Sequence, residues 1–208
     1  MNYELVKRIL TSLTLLPVLI YCSYKSGFYF IIFLSTIYFL SFYEIFANTK
    51  NLLFNFISNT IIILAIFSFY YLRGSTSSSL IVLYWVLLST FLSDIGGYIF
   101  GKIFKGKKLT KISPNKTISG SCGSFIFSLL LIPLFYFELL NNDLLSLILI
   151  TLTISLTSQL GDLFISYIKR KAKVKNTSDI LPGHGGLLDR LDGIIFAIPI
   201  GLLLFNLF

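Results

Sequence analysis

The chain has 208 residues, of which 55% are hydrophobic and only 12% are charged, and its mean hydropathy is +0.85. A soluble domain needs charged residues over its surface, so this composition excludes an ordinary soluble protein and indicates an integral membrane protein. The two cysteines, Cys22 and Cys122, lie among apolar or small residues. This setting favours packing roles over a disulfide or a metal site.

Seven apolar stretches approach or reach the ~20 residues that a helix needs to cross a membrane. They lie near 9–24, 27–47, 52–72, 79–101, 119–140, 144–167 and 191–207. The first lacks a small-residue cleavage site, so we interpret it as an uncleaved helix. The predicted fold is all-α and polytopic, with about seven transmembrane helices. The chain divides at about residue 90, with N-terminal membrane helices in residues 1–89 and the two basic loops in residues 90–208.

Positive charge predicts the orientation, because lysines and arginines near span ends stay on the cytoplasmic side. With seven spans and a cytoplasmic N-terminus, only Lys25 and Arg73 of the 17 basic residues fall on the outer face. The basic loops 101–117 and 168–175 are therefore predicted to be cytoplasmic. Most of their lysines are interpreted as topology signals that attract anionic headgroups. Nucleic acid is not an expected partner, because the charge lies in short loops beside the membrane.

Four aspartates fall at one predicted depth beside these loops, and they are Asp94, Asp162, Asp189 and Asp192. Ionisable groups at the edge of the hydrocarbon are costly, so they usually pair, bind ions or line a watery cavity. The spacing of Gln159, Asp162 and Ser166 places their oxygens on one helical face. Such carboxylates suit a hard cation such as Mg²⁺ together with substrate phosphates.

A simpler alternative is that Asp162 and Asp192 only form ion pairs with Lys169 and Arg190. Pairing alone, however, does not explain why so many acids share one depth.

Two turns carry further candidate ligands. Lys116 follows Ser113 and precedes Thr117 where a helix is predicted to begin, and a lysine with free backbone N–H groups can hold a phosphate there. The turn at 182–186 is glycine-rich and contains His184, the only histidine. Its glycines permit positive φ or a close approach to a ligand. A lone histidine, on position alone, is more often structural than catalytic.

Residues 166–192, SYIKRKAKVKNTSDILPGHGGLLDRLD, resemble the C-terminal signature of phosphatidate cytidylyltransferases, also called CDP-diacylglycerol synthases. Upstream, SDIGGYIFGKIFKGKKL and SPNKTISG resemble two further segments of that family, so the resemblance covers about 90–193. The chain departs from the family pattern at Asn176, Ile165 and Ser119. Family members usually have Asp at the first of these positions, and many have Glu at the other two.

The resemblance implies transfer of a cytidylyl group from CTP to phosphatidic acid, with Mg²⁺ as cofactor and CDP-diacylglycerol and pyrophosphate as products. The implied catalytic residues are Asp162, Lys169, Arg170, Asp189 and Asp192, and the implied metal ligands are Asp162, Asp189 and Asp192. Substrate contacts are implied for Lys116, Ser113, Thr117, Ser166, Lys175, His184, Gly185, Gly186 and Arg190. Asp94 is expected to support the metal site. Residues 1–89 are expected to supply scaffold helices and lipid access, and residues 90–208 to form the catalytic domain. The expected setting is the lipid bilayer of a bacterial inner membrane, with a cytoplasmic active site and, by resemblance, a homodimer.

Three alternatives stay open from the sequence. One is another CTP-dependent lipid enzyme, such as a polyprenol kinase or an enzyme that acts on archaeal ether lipids. The second is an ion-coupled transporter that uses Asp94, Asp162 and Asp192, although the outer halves of the spans are almost wholly apolar. The third is a non-catalytic scaffold, which is suggested by the departures from the family pattern at Asn176 and Ile165.

Overall fold

A computed structural model of the chain describes residues 3–136, 143–183 and 185–207, and this part is helical without strands. Its helices are α1 Tyr3–Lys25, α2 Gly27–Asn48, α3 Leu52–Arg73, α4 Ser77–Phe104, α5 Ile118–Leu129, α6 Ile132–Phe135, α7 Leu144–Ala172, α8 Leu188–Leu191 and α9 Ile194–Leu207. Isolated β-bridges join Lys108 to Thr117 and Leu181 to Gly185. The predicted all-α fold is confirmed.

Five helical stretches are long and apolar enough to cross a membrane. They are α2, α3, α4, the combined stretch Ile118–Phe135, and α7. Shorter apolar helices occupy Leu13–Lys25 and Ile194–Phe205. A polytopic membrane protein is therefore confirmed, whereas the exact number of crossings and the cytoplasmic N-terminus stay predictions.

The predicted span at 119–140 is not one continuous helix in the described residues. The α5 helix ends at Leu129, and the short α6 helix carries Pro133 in its first turn. Proline has no N–H to donate to the carbonyl four residues earlier, so the helix is interrupted there. Residues 137–142 lie outside the described part.

The α9 helix packs against α3, α4 and α7, and the largest group of buried side chains lies around it. Leu83 and Val86 from α4, Ile154 from α7 and Ile198 from α9 are almost fully buried in this core. Large side chains such as Phe28, Phe39 and Leu52 are instead exposed on the outer faces of their helices. This distribution suits a bundle whose outer surface contacts lipid tails.

Glycines hold α4 and α5 unusually close together. A Cβ added at Gly120 would lie 2.8 Å from the carbonyl oxygen of Gly97, and one at Gly97 would lie 2.7 Å from Ser124 Oγ. A Cβ at Gly123 would collide with Phe100 and with the backbone of Gly96. Small residues let helix backbones approach closely in membranes. The start of α5 is thereby fixed beside the end of α4.

A second close approach joins α7 to the start of α9. A Cβ at Gly161 would meet the carbonyl oxygen of Asp192, and a Cβ at Gly193 would meet Ser158. The backbone that carries Asp192 therefore lies directly on the helix that carries Asp162. The two close approaches thus join four segments in pairs, α4 with α5 and α7 with the start of α9.

We expect Gly120→Val to separate α4 from α5, because the new side chain would press on the Gly97 backbone rather than on a movable side chain. Overpacking of this kind costs roughly 1–3 kcal/mol. The melting temperature in detergent should fall by several degrees relative to wild type. Ile126→Val, at an exposed position of the same helix, is the matched control, and equal melting temperatures for the two variants would contradict the close-packing account.

Candidate functional site

A cavity of about 330 Å³ lies where α4, α5 and α7 meet the turn that precedes α5. Six of the residues singled out in the sequence line it, and they are Asp94, Ser113, Lys116, Thr117, Gln159 and Asp162. The other lining residues are Gly97, Tyr98, Leu109, Asn115, Gly120, Ser121 and Ser124. Residues separated by almost 70 positions in the chain therefore form one polar site at the ends of apolar helices.

Backbone hydrogen bonds hold Lys116 at the cavity. The Leu109 amide donates to the Lys116 carbonyl over 2.8 Å, and the Ile118 amide donates to Lys107 over 3.0 Å, which closes a hairpin. Thr117 then caps α5 by accepting a hydrogen bond from the Gly120 amide at 3.1 Å. The predicted turn at a helix start is present, and it presents the lysine to the cavity.

Asp162 is the charge partner of Lys116 in this structure. The Lys116 ammonium forms an ion pair with the Asp162 carboxylate, and Ser166 Oγ lies 3.3 Å from the other Asp162 oxygen. Asp94 and Asp192 both lie within electrostatic range of Asp162. The simpler pairing of Asp162 with Lys169 is not the one observed, because Lys169 pairs with Asp189.

The predicted metal-ligand set of Asp162, Asp189 and Asp192 stays a prediction, and in this structure Asp162 and Asp189 are each paired with a lysine. Across the described residues, no three acidic, histidine or cysteine side chains are gathered closely enough to hold a metal by themselves. Asp189 is held away from the cavity, since its Oδ1 accepts from Lys169 Nζ at 2.6 Å. Its Oδ2 accepts from the amides of Thr177 at 2.9 Å and Gly186 at 3.1 Å. Asp189 thus serves a loop, and not the cavity, in this structure.

The cavity nevertheless has a donor set that fits Mg²⁺. Asp94 and Asp162 supply carboxylate oxygens, and Gln159 adds an amide oxygen that accepts from Ser121 Oγ at 2.6 Å. Mg²⁺ is commonly held by one or two carboxylates, with substrate phosphates and waters as its remaining ligands. Oxygen donors of this number suit a metal that arrives together with a phosphorylated substrate.

The glycine-rich turn at 182–186 folds as its composition predicts. Leu181 and Gly185 exchange two backbone hydrogen bonds of 2.9 and 3.1 Å. Gly183 has φ +76° and Gly185 has φ +84°, a region that side-chain-bearing residues rarely adopt. His184 lies outside the described residues, so its part in substrate binding stays a prediction.

The remaining basic candidates lie around the two loops. Arg170 Nε donates to the Ile112 carbonyl over 3.4 Å, which joins the end of α7 to the loop that carries Lys116. Lys169 lies within electrostatic range of Asp192. The side chains of Lys175 and Arg190 are exposed. Both basic loops are therefore at the same end of the bundle as Asp162, as the sequence predicts.

Sequence reasoning missed Glu44, a fully buried acid in the last turn of α2. Its carboxylate accepts four hydrogen bonds from residues 177–188, the segment that contains the glycine-rich turn. The available signal was an acid inside an otherwise apolar span, which is costly unless it has partners. Its partners lie more than 130 residues away in the chain, so no local pattern indicates them.

A lysine–carboxylate cavity at the ends of membrane helices defines a membrane protein with a site suited to phosphorylated ligands. Residues 48–208 match the cytidylyltransferase family, so the chain belongs to that family, and the resemblance predicted from the sequence is confirmed.

The matched relatives include the phosphatidate cytidylyltransferases of Staphylococcus haemolyticus and of Staphylococcus aureus strain COL. They are 42% and 43% identical to this chain over 134 and 137 residues. Each match covers 64% of this chain and 52% of the relative. The chain thus spans about half the length of the curated relatives it matches.

Proposed function

We propose that this chain carries the cytidylyl-transfer site of a phosphatidate cytidylyltransferase, which uses CTP and phosphatidic acid and releases pyrophosphate. The observation that carries the proposal is the Lys116–Asp162 pair in an oxygen-lined cavity, with Asp94 and Asp192 in electrostatic range. Family membership and the names of the staphylococcal relatives support the choice of substrates. Among lipid acceptors, these names favour phosphatidic acid over a polyprenol or an ether lipid.

In the proposed reaction, a phosphate oxygen of phosphatidic acid attacks the α-phosphorus of CTP. A new P–O bond forms, the bond between the α- and β-phosphates breaks, and pyrophosphate leaves with the electron pair. The attacking oxygen is already ionised near neutral pH, so the reaction needs no general base. The tasks of the protein are to neutralise two polyanions and to align them.

Lys116 has a defined part in this scheme. In the free protein its ammonium neutralises Asp162. When triphosphate oxygens enter the cavity, Lys116 exchanges the carboxylate for a phosphate oxygen, since a charge-assisted hydrogen bond is made in either case. Asp162 and Asp94 would then hold Mg²⁺, which would supply positive charge to the phosphates.

Other charged residues extend the site beyond the cavity. Asp192 lies within electrostatic range of Asp162, Asp94 and Lys169, and Arg170 joins the two basic loops. We assign Lys169 and Arg170 to the phosphates, and Asp192 to the support of Asp162. Asp189 stays a predicted catalytic residue and metal ligand, and its hydrogen bonds with Lys169, Thr177 and Gly186 connect it to the loop.

The lipid acceptor requires a site at the membrane edge. Tyr98 lines the cavity and is 68% exposed, and Lys102 Nζ lies 5.7 Å from the centre of its ring. A tyrosine and a lysine together suit the level of the lipid headgroups. We place this end of the bundle at the cytoplasmic face of a bacterial inner membrane, because most basic residues lie there. A homodimer stays a prediction.

The first test uses the purified full chain in detergent with CTP, Mg²⁺ and phosphatidic acid. We expect pyrophosphate release that depends on the lipid, and a loss of about 100-fold or more in Asp162→Asn, because a charged group at the phosphates is removed. Asp143→Asn is the matched control, since Asp143 precedes the same helix at its other end. Folded wild-type protein that binds CTP without lipid-dependent turnover would overturn phosphatidic acid as acceptor, and loss of CTP binding would favour the scaffold alternative.

We expect Lys116→Met to weaken CTP binding about tenfold or more, because one charge-assisted hydrogen bond to a phosphate is lost. The same variant should bind Mg²⁺ more tightly in the absence of nucleotide, since Asp162 has lost its counter-charge. Calorimetry in detergent measures both affinities. Lys111→Met, at an exposed lysine of the same loop, should change neither, and a similar loss of CTP affinity in both variants would show that only the general charge of the loop matters.

A further inference from the structure

We infer that Glu44 is the positioning residue that holds the 177–188 loop in the form that binds the nucleotide, an inference that rests on the proposed function. Glu44 lies outside residues 48–208, the part of the chain that matches the family. Its side chain is completely buried. It touches no cavity-lining residue in the described contacts, so its effect on the reaction would pass through the loop.

The hydrogen bonds of Glu44 use its full acceptor capacity. Its Oε1 accepts from Ser178 Oγ and from the Leu187 amide, both at 2.7 Å. Its Oε2 accepts from Thr177 Oγ1 at 2.7 Å and from the Leu188 amide at 2.9 Å. An ionised carboxylate offers about four acceptor sites and no donor. Four donors therefore meet four acceptor sites on one carboxylate. An amide group of the same size could not receive all of them.

These donors come from both ends of the loop. Thr177 and Ser178 begin it, and Leu187 and Leu188 end it, so one carboxylate joins the two ends of the segment that contains the Pro182–Gly186 turn. The loop backbone packs tightly at this point, because a Cβ added at Gly186 would collide with Thr177 and approach Glu44 Oε2 to 2.7 Å. The shape of the turn is thereby set from α2.

The same contacts connect Glu44 to the charged residues of the site. Thr177 Oγ1 lies 2.7 Å from Glu44 and 3.2 Å from Asp189 Oδ2, and its single hydrogen can be donated to only one of them at a time. Asp189 in turn accepts from Lys169. A change at Glu44 therefore alters the hydrogen bond between Thr177 and Asp189, and through Asp189 it affects Lys169. We assign Lys169 to the phosphates.

Glutamine is the informative replacement because it keeps the shape of the side chain. Its amide nitrogen would present N–H groups to two of the donors that now meet a carboxylate oxygen, so those donors would lose their acceptor. Aspartate keeps the charge but is one methylene shorter, and we expect it to retain only part of the hydrogen-bond set. Glu44→Gln therefore tests the loss of acceptors, and Glu44→Asp tests the shortening of the side chain.

The experiment compares wild type, Glu44→Gln and the matched control Ser41→Ala in the full chain in detergent. Ser41 is buried one turn earlier on the same helix, and its hydroxyl has no hydrogen-bond partner in the described structure. The first readout is trypsin cleavage after Lys175, an exposed lysine just before the loop. The second readout is the change in the KM for CTP compared with the change in kcat. The third is the melting temperature.

For Glu44→Gln we expect cleavage after Lys175 to accelerate about tenfold, because loss of loop acceptors raises the population of the open loop. The KM for CTP should rise more than kcat falls, while cleavage at Lys105 and Lys107 and the melting temperature stay close to wild type. Glu44→Asp should recover part of the CTP affinity. Ser41→Ala should match wild type in all three readouts.

Two results would overturn the inference. One is Glu44→Gln with unchanged loop cleavage and unchanged KM, and the other is a general loss of stability with cleavage at all exposed lysines. If Glu44→Gln does not fold, Ser178→Ala removes one of the same hydrogen bonds from the loop side and should show the same pattern more weakly. Absence of turnover in wild type would refute the proposed function alone, since the cleavage readout would still test Glu44.

Discussion

The ion pair between Lys116 and Asp162 is the interaction on which the site depends, because it neutralises charge at the edge of an apolar bundle. Charges at such a position are costly unless they are paired or hydrated. The glycine contacts hold α5 against α4 and the start of α9 against α7, and α7 packs against both α4 and α5. Small residues therefore determine how closely the helices that frame the cavity approach one another.

The acids near this end of the bundle divide into two kinds by their partners. Asp94 and Asp162 line the cavity, where we propose that they hold a cation once phosphates have drawn Lys116 away. Glu44 and Asp189 are surrounded by donors from the 177–188 loop, so their lone pairs are already used. Carboxylates at one end of the bundle thus differ in their hydrogen-bond partners, and we expect their functions to differ accordingly.

Sequence patterns could predict the helices and half of the site. Apolar runs locate the spans because crossing a membrane requires ~20 such residues, and the turn around Lys116 is local enough to be read from its residue types. The functions of Asp189 and Glu44 depend instead on contacts across long separations in the chain, such as that between Glu44 and Leu188. Periodicity carries no information on which of several acids will meet the loop, so the hydrogen bonds of Asp189 and Glu44 to that loop are visible only in the structure.

The contact between Glu44 and the loop also bears on how the two predicted parts of the chain cooperate. The division into residues 1–89 and 90–208 stays a prediction, but α2 supplies the acceptors for the loop, and α3 packs against α9. The loop has hydroxyl donors at its start and amide donors at its end, and one acceptor from another segment receives them all. Supplying that acceptor from a membrane helix fixes the loop relative to the bilayer. A nucleotide held by such a loop would then approach the membrane edge at a constant height, which is the condition for in-line attack by a lipid phosphate.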